Sequence, residues 1–439
     1  MRNVFFPTRS GNARRVSGLA MAVALATGGA LTATALEAPA AAQKRDKKQK
    51  DAKQDFSKEF MAVYQPAAAV AQEGQRDVAA MQAAVPQLVS VATTADDKFV
   101  AGNYVYQTGI SAQDPTLQAQ GVELMLESGK VPAENLAQYN FLAGQLAYQA
   151  ENWDKARRYV QAAIDAGYTQ NNPRALIAES YFAEDRRAEG VNVLKTGVEE
   201  QISAGQTPDR DWLRRGLSQS FQGELPNETM QFGRWYAQYY PSDESWGDAI
   251  VTVRNFNQFN DAQMLDLLRL QRATGTFRQA GEYKEYVDTA NPRRLPGEVV
   301  AVIDEGYASG LITRDDAFLA EMRAEAAQRV EADRADLPEI ERDARSSGAQ
   351  ANSVIAAADA FLNYDEPAKA EEFYRMALDM PGTNRSELLT RIGIALVQQG
   401  QFAEAQDVFG QVDGVREPIA DLWAIYAMQQ ANGMQATGG

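Results

Sequence analysis

RIGIALVQQGQFAEAQDVF, residues 391–409, puts Gly393 and Ala405 on the apolar faces of two predicted helices that turn at Gly400. A core normally wants bulk at such sites. Two antiparallel helices approach closely only where small residues sit at the crossing, and those sites recur at one spacing when the pair is repeated. Gly393 and Ala405 lie 12 apart, with Phe402 and Phe409 flanking Ala405. Thirty-five residues upstream, Ala358, Ala370, Tyr374 and Ala377 repeat the arrangement in VIAAADAFLNYDEPAKAEEFYRMALDMPG.

The same template occurs in YNFLAGQLAYQAENWDKARRYVQAAIDAG, with Gly144, Trp153, Ala156, Val160 and Ala163; moving its small sites on by 34 reaches Ala178, Gly190 and Gly197. A looser copy begins near Asp209, with Trp212, Gly216, Phe232 and Trp235, its loop stretched by LPNE. This pattern resembles the tetratricopeptide repeat, a helix–turn–helix unit of 34 residues with small residues at the crossing and aromatics beside them. The match is close at 137–170, 171–204, 351–385 and 386–415, and loose at 209–242; Val412 stands where the last copy should have a small residue. The resemblance implies an all-α fold of tetratricopeptide or tetratricopeptide-like repeats forming a right-handed α-solenoid in two halves. Glycine and alanine would then serve close helix crossings, and aromatics would fill the flanks.

The expected organisation is a signal peptide at 1–42, a lysine-rich disordered linker at 43–55, divergent helical repeats at 56–136 and tetratricopeptide-like repeats at 137–242. An irregular helical spacer at 243–350 should follow, with two prolines in NPRRLPGE interrupting the stacking. The C-terminal repeat pair is placed at 351–416, a capping helix at 417–431 and a disordered tail at 432–439. EPIADLWAIYAMQQA has Ile419, Leu422, Trp423 and Tyr426 at helical spacing, the pattern of a cap over a terminal repeat.

The chain of 439 residues has no cysteine and no histidine. Disulfides, thiolate nucleophiles, imidazole bases and the commonest zinc ligands are therefore excluded. Phosphate-cradling glycine loops, EF-hand loops and HExxH are absent too, so no cofactor is expected. The cluster Glu331, Asp333, Asp336 and Glu339 reads as a solvated helix face. Glu179-Ser180 is similar to the Glu-Ser pair of soluble lytic transglycosylases, but it falls on a repeat's first helix and no Gly-Leu-Met-Gln segment follows.

Arg2, Arg9, Arg14 and Arg15 precede an uncharged stretch from Val16 to Leu36, and then Ala40 and Ala42 stand at signal-peptidase spacing. This reads as a secretory signal cleaved near Ala42, with an uncleaved inner-membrane anchor as the alternative. Cleavage would change the formal charge of −16 to −19, because the segment carries four arginines and one glutamate. So acidic a body repels nucleic acid. Six of the 12 lysines lie between Lys44 and Lys58, a segment suited to transient contact with an anionic envelope component.

In tetratricopeptide proteins the first helices line the ligand face. Carried across, the resemblance presents Gln138, Phe141, Gln145, Tyr148 and Gln149 from one repeat and Asn172, Glu179 and Phe182 from the next. Aromatics among amides suit an extended peptide. These two repeats bring no lysine or arginine to the face, so the expected ligand is a neutral or basic segment. The C-terminal repeats present Asn352, Ile355, Asp359, Leu362, Glu387, Thr390, Ile394 and Val397, which suggests a second ligand. The resulting expectation is a non-enzymatic periplasmic scaffold that binds a protein or peptide of the bacterial envelope. A cell-wall enzyme, or enzyme accessory with a helical platform, is the rival reading.

Overall fold

The computed structural model describes residues 54–72 and 76–437. The signal segment and nearly all of the lysine-rich linker lie outside the described residues. Among the described residues there are twenty α-helices and no strand. They run α1 (Lys58–Val70), α2 (Val78–Val91), α3 (Ala95–Ala112), α4 (Pro115–Glu127), α5 (Ala133–Gln149), α6 (Trp153–Asp165), α7 (Pro173–Ala183), α8 (Arg187–Ser203), α9 (Arg210–Gln222) and α10 (Pro226–Tyr239). The series continues with α11 (Asp243–Phe256), α12 (Asp261–Ala273), α13 (Ala280–Ala290), α14 (Pro296–Ser309), α15 (Ala317–Ala344), α16 (Ala351–Asn363), α17 (Pro367–Leu378), α18 (Arg385–Gln398), α19 (Phe402–Phe409) and α20 (Glu417–Thr437).

Local sequence sets many of these boundaries. Asp77, Asp114, Asn152, Asp209, Asp316 and Asn384 accept from first-turn amides as N-caps, each a contribution of about 1 kcal/mol. Pro115, Pro173, Pro226, Pro296 and Pro367 open their helices, where a missing N–H is harmless.

Each helix packs on the next in sequence, which makes the chain an α-solenoid of helix pairs with a tetratricopeptide-like build. The small sites explain the pairing. A Cβ built on Gly393 would collide with the Phe409 ring, one on Gly216 with the Phe232 ring, and one on Gly144 with Val160. The large residue sits directly over the glycine, 16 positions on, rather than beside the crossing. At α3 and α4 the backbones themselves meet, since a Cβ on Gly102 would strike the Gly121 carbonyl oxygen.

Residues 243–350, expected as an irregular helical spacer, carry α11 to α15. Helices α11 to α15 continue the stack, and Leu295 and Pro296 in the proline-bearing stretch are buried as α13 hands over to α14. One apolar core then joins α10, α11 and α12 to α16 through α20. The chain closes on itself because α20 packs not only on α19 and α18 but also on α10, α11 and α12. It runs to Thr437, across residues expected as tail. The two halves are thus an open run of pairs up to α10 and a closed half from α10 to α20.

Buried charge fastens the closed half. Asp266 accepts from Arg269 at 3.1 Å and also pairs with Arg416. Arg269 donates to both oxygens of Glu298, at 2.8 and 2.7 Å, and the Glu298 amide donates to Asn363 Oδ1 at 2.9 Å. These bonds tie α12, α14, α16 and the turn before α20 together.

Candidate functional site

Three first helices of the open half end alike. Tyr148, Phe182 and Phe221 are the penultimate residues of α5, α7 and α9, and Phe256 is the last residue of α11. All are at least partly exposed, Phe221 by 38%. In the closed half the penultimate residues of α16 and α18 are aliphatic, Leu362 and Val397. The aromatic series therefore runs over α5, α7 and α9 of the open half and reaches α11 of the closed half.

An ion pair crosses this face. Glu179 on α7 accepts both arms of Arg215 on α9, at 2.7 Å each. The Arg215 guanidinium lies 5.1 Å from the centroid of the Phe182 ring. Burial raises the Tyr148 hydroxyl above its ordinary range, the Glu179 charge pushes the same way, and Arg215 opposes both. Tyr148, Glu179, Phe182 and Arg215 thus form one cluster over three first helices. Beyond it the Phe221 ring stands edge-on to Phe256 at 5.8 Å.

Of the sequence-predicted residues, Gln138, Gln149 and Asn172 are exposed and Gln145 is half-buried. Phe141 is a correction: it is buried and stacks on Tyr168 at 4.4 Å, so it fills the seam between two repeats and offers no surface to a ligand. Phe182 is also half committed, its edge lying on Gly190. The amide-rich acidic face becomes an aromatic face whose central carboxylate is neutralised by Arg215. Glu179 stands in this ion pair rather than in the apolar pocket that an acid catalyst of the transglycosylase type needs. Sequence reasoning missed Arg215 and Phe221 because the repeat at 209–242 was only loosely in phase, and Phe256 because it lies beyond that repeat. The signal available was the helix end itself, since Tyr148, Phe182 and Phe221 each stand second from the end of their helix.

The second expected ligand face is closed. Asp359 accepts from Tyr374 Oη at 2.6 Å and from Arg391 at 3.0 Å, and Glu387 pairs with Arg391 at 2.9 Å. Leu362, Thr390 and Ile394 are buried. The chain's own turn and α20 take the place a partner would need. A cavity of about 350 Å³ remains where α20 meets α10, lined by the pair of Arg234 with Asp421 and by Lys195, Glu228 and Glu417. Among the described residues no group of three or more Asp or Glu side chains converges as a metal site.

No family model matches the chain, and no curated protein matches it. Among solved structures it is similar to a tetratricopeptide repeat protein of Parabacteroides merdae, at 12% identity and a TM-score of 0.28, over 68% of this chain and 99% of that one. It is similar to the TPR2AB domain of yeast Sti1 in complex with Hsp90 peptide, at 12% identity and a TM-score of 0.23, over 69% and 96%. A third match is the P58(IPK) TPR domain, at 10% identity and a TM-score of 0.20, over 86% and 99%. These overlaps are partial, and it is the chain's own stacking of helix pairs that makes it a solenoid.

Proposed function

We propose that this protein is a non-enzymatic scaffold that holds a segment of a protein partner on the face made by α5, α7, α9 and α11. The observation that carries this reading is the aromatic series Tyr148, Phe182, Phe221 and Phe256, apolar surface left in part uncovered at the ends of four successive first helices. Aromatic side chains dominate binding energy where they can be desolvated by a partner. The leader-like pattern of residues 1–42 supports export, and with it a periplasmic site of action and a partner in the bacterial envelope. The lysines from Lys44 to Lys58 would then follow the cleavage site and make transient contact with anionic envelope components.

In-cell photo-crosslinking from a probe at Tyr148, with a control probe at exposed Glu339 on α15, tests the reading. A discrete envelope protein captured from position 148 alone is the expected result. Equal capture from both positions would remove the face from consideration. The mass of the mature chain tests export separately: loss of residues 1–42 is expected, and retention of Met1 or Arg2 in a membrane fraction would point to the anchored alternative.

A further inference from the structure

The cavity between α10 and α20 holds about 350 Å³, at the small end of ligand pockets, which run from about 300 to 1,000 Å³. Lys195 on α8, Glu228, Gln231 and Arg234 on α10, and Glu417 and Asp421 on α20 line it. Segments far apart in the chain thus bring both signs of charge to one small space, and α20 completes it.

Much of that charge has no match inside the protein. Arg234 gives its terminal nitrogens to Asp421 and Gln231, but its buried Nε–H has no partner. A buried donor without an acceptor is costly, and native structures leave few of them. Burial holds the Arg234 guanidinium below its ordinary range, and the Glu417 charge opposes this. Lys195 reaches only Glu199, at 4.0 Å, and Glu228 and Glu417 make no ion pair among the described residues. The unmatched groups are therefore two donors, Lys195 and Arg234 Nε, and two carboxylates. A carboxylate on a ligand satisfies the first set and an ammonium the second. Because Arg234 and Asp421 neutralise each other, one cation faces two anions, an excess of one negative charge. The carboxylates do not converge as a metal site.

We infer that this cavity binds a free basic amino acid, with its carboxylate toward Lys195 and Arg234 and its cationic groups toward Glu228 and Glu417. The ligand's excess of one positive charge matches the excess of one negative charge around it. An acidic amino acid would set a second carboxylate against Glu228 and Glu417, and a diamine would leave Lys195 facing a cation. Since α20 supplies Glu417 and Asp421, occupancy favours the closed ring over any form with α20 detached. The site is separate from the aromatic face, and neither reading depends on the other.

The test is a calorimetric titration of the purified protein with L-lysine, compared with L-glutamate and with cadaverine, the diamine that lacks the carboxylate. Lysine should bind at least about tenfold more tightly than either, and it should slow amide exchange in α10 and in residues 414–421. Glu417→Gln, at an exposed position, should weaken lysine by about tenfold. Lys195→Met should weaken lysine while strengthening cadaverine, a reversal that a damaged fold would not produce. No lysine binding at about 10 mM, equal affinity for lysine and cadaverine, or protection appearing only elsewhere in the chain would overturn the inference. So would an unchanged lysine affinity in Glu417→Gln.

Discussion

The indole Nε1 of Trp423 donates to the backbone carbonyl of Asp266 at 3.0 Å, although 157 positions separate the two residues. Asp266 also takes Arg416 through its carboxylate, so α20 and the turn before it grip α12 at one point. Both residues are buried, and the closed half hangs on this grip.

Trp423→Ala should therefore cost about 3–5 kcal/mol in urea unfolding. Amide exchange should quicken in α10 to α12 as well as in α18 to α20, while α1 to α4 stay protected as before. Faster exchange confined to α20 would show that the ring is not a cooperative unit.

Gly393→Leu should destabilise by about 1–3 kcal/mol, because the Phe409 ring already occupies the space of the first added carbon. Gly281, where an added Cβ meets nothing within 4 Å, provides the comparison on another helix. Gly281→Ala should be neutral or slightly stabilising through helix propensity. A chemical denaturation series on the pair separates crossing from propensity, and equal shifts would remove the packing explanation.

Burial pushes the Glu298 carboxyl up, but the Arg269 charge, with hydrogen bonds from Arg269 and Tyr286, outweighs it and holds the group at about 2. Because the folded value is depressed, its contribution is present above the ordinary carboxylate value of about 4.3 and is lost as pH falls from there toward 2. Glu298→Gln should cost about 3–5 kcal/mol at pH 7, since Arg269 keeps its charge without this partner. The gap from the parent protein should narrow steadily below about pH 4. Denaturant midpoints from pH 7 to 2.5 check this, and a constant gap would show that Glu298 is not ionised in the folded protein.

Glu224→Gly should raise stability by up to about 1 kcal/mol, because the left-handed backbone is costly for a residue with a Cβ. The shift is read from thermal unfolding. A lower melting temperature would mean that the glutamate side chain holds the turn.

The repeat was legible because its cause is local. Gly144, Ala156 and Ala163 are small for a reason that recurs in every pair, and a fixed offset exposes it. Phe141 was misread for the opposite reason: a ring at a ligand-facing position can instead fill the seam, and only the placement of Tyr168 in the following loop decides. Arg215 was hidden because Ala178 and Gly216 stand 38 apart rather than 34, so the phase shifts ahead of its repeat, while Gly216 and Phe232 keep the regular spacing of 16. Ring closure left no sequence signal, since Arg416 and Asp266 are 150 positions apart and share no period.

Closure also divides the chain by what can be added to it. A further helix pair inserted among α11 to α19 would move α20 by a whole unit and carry Arg416 and Trp423 away from Asp266. Pairs joined or removed at α1 would disturb only a neighbour, because stacking there is nearest-neighbour. Half of the molecule has its repeat number fixed by geometry, and variation in length is confined to the other half.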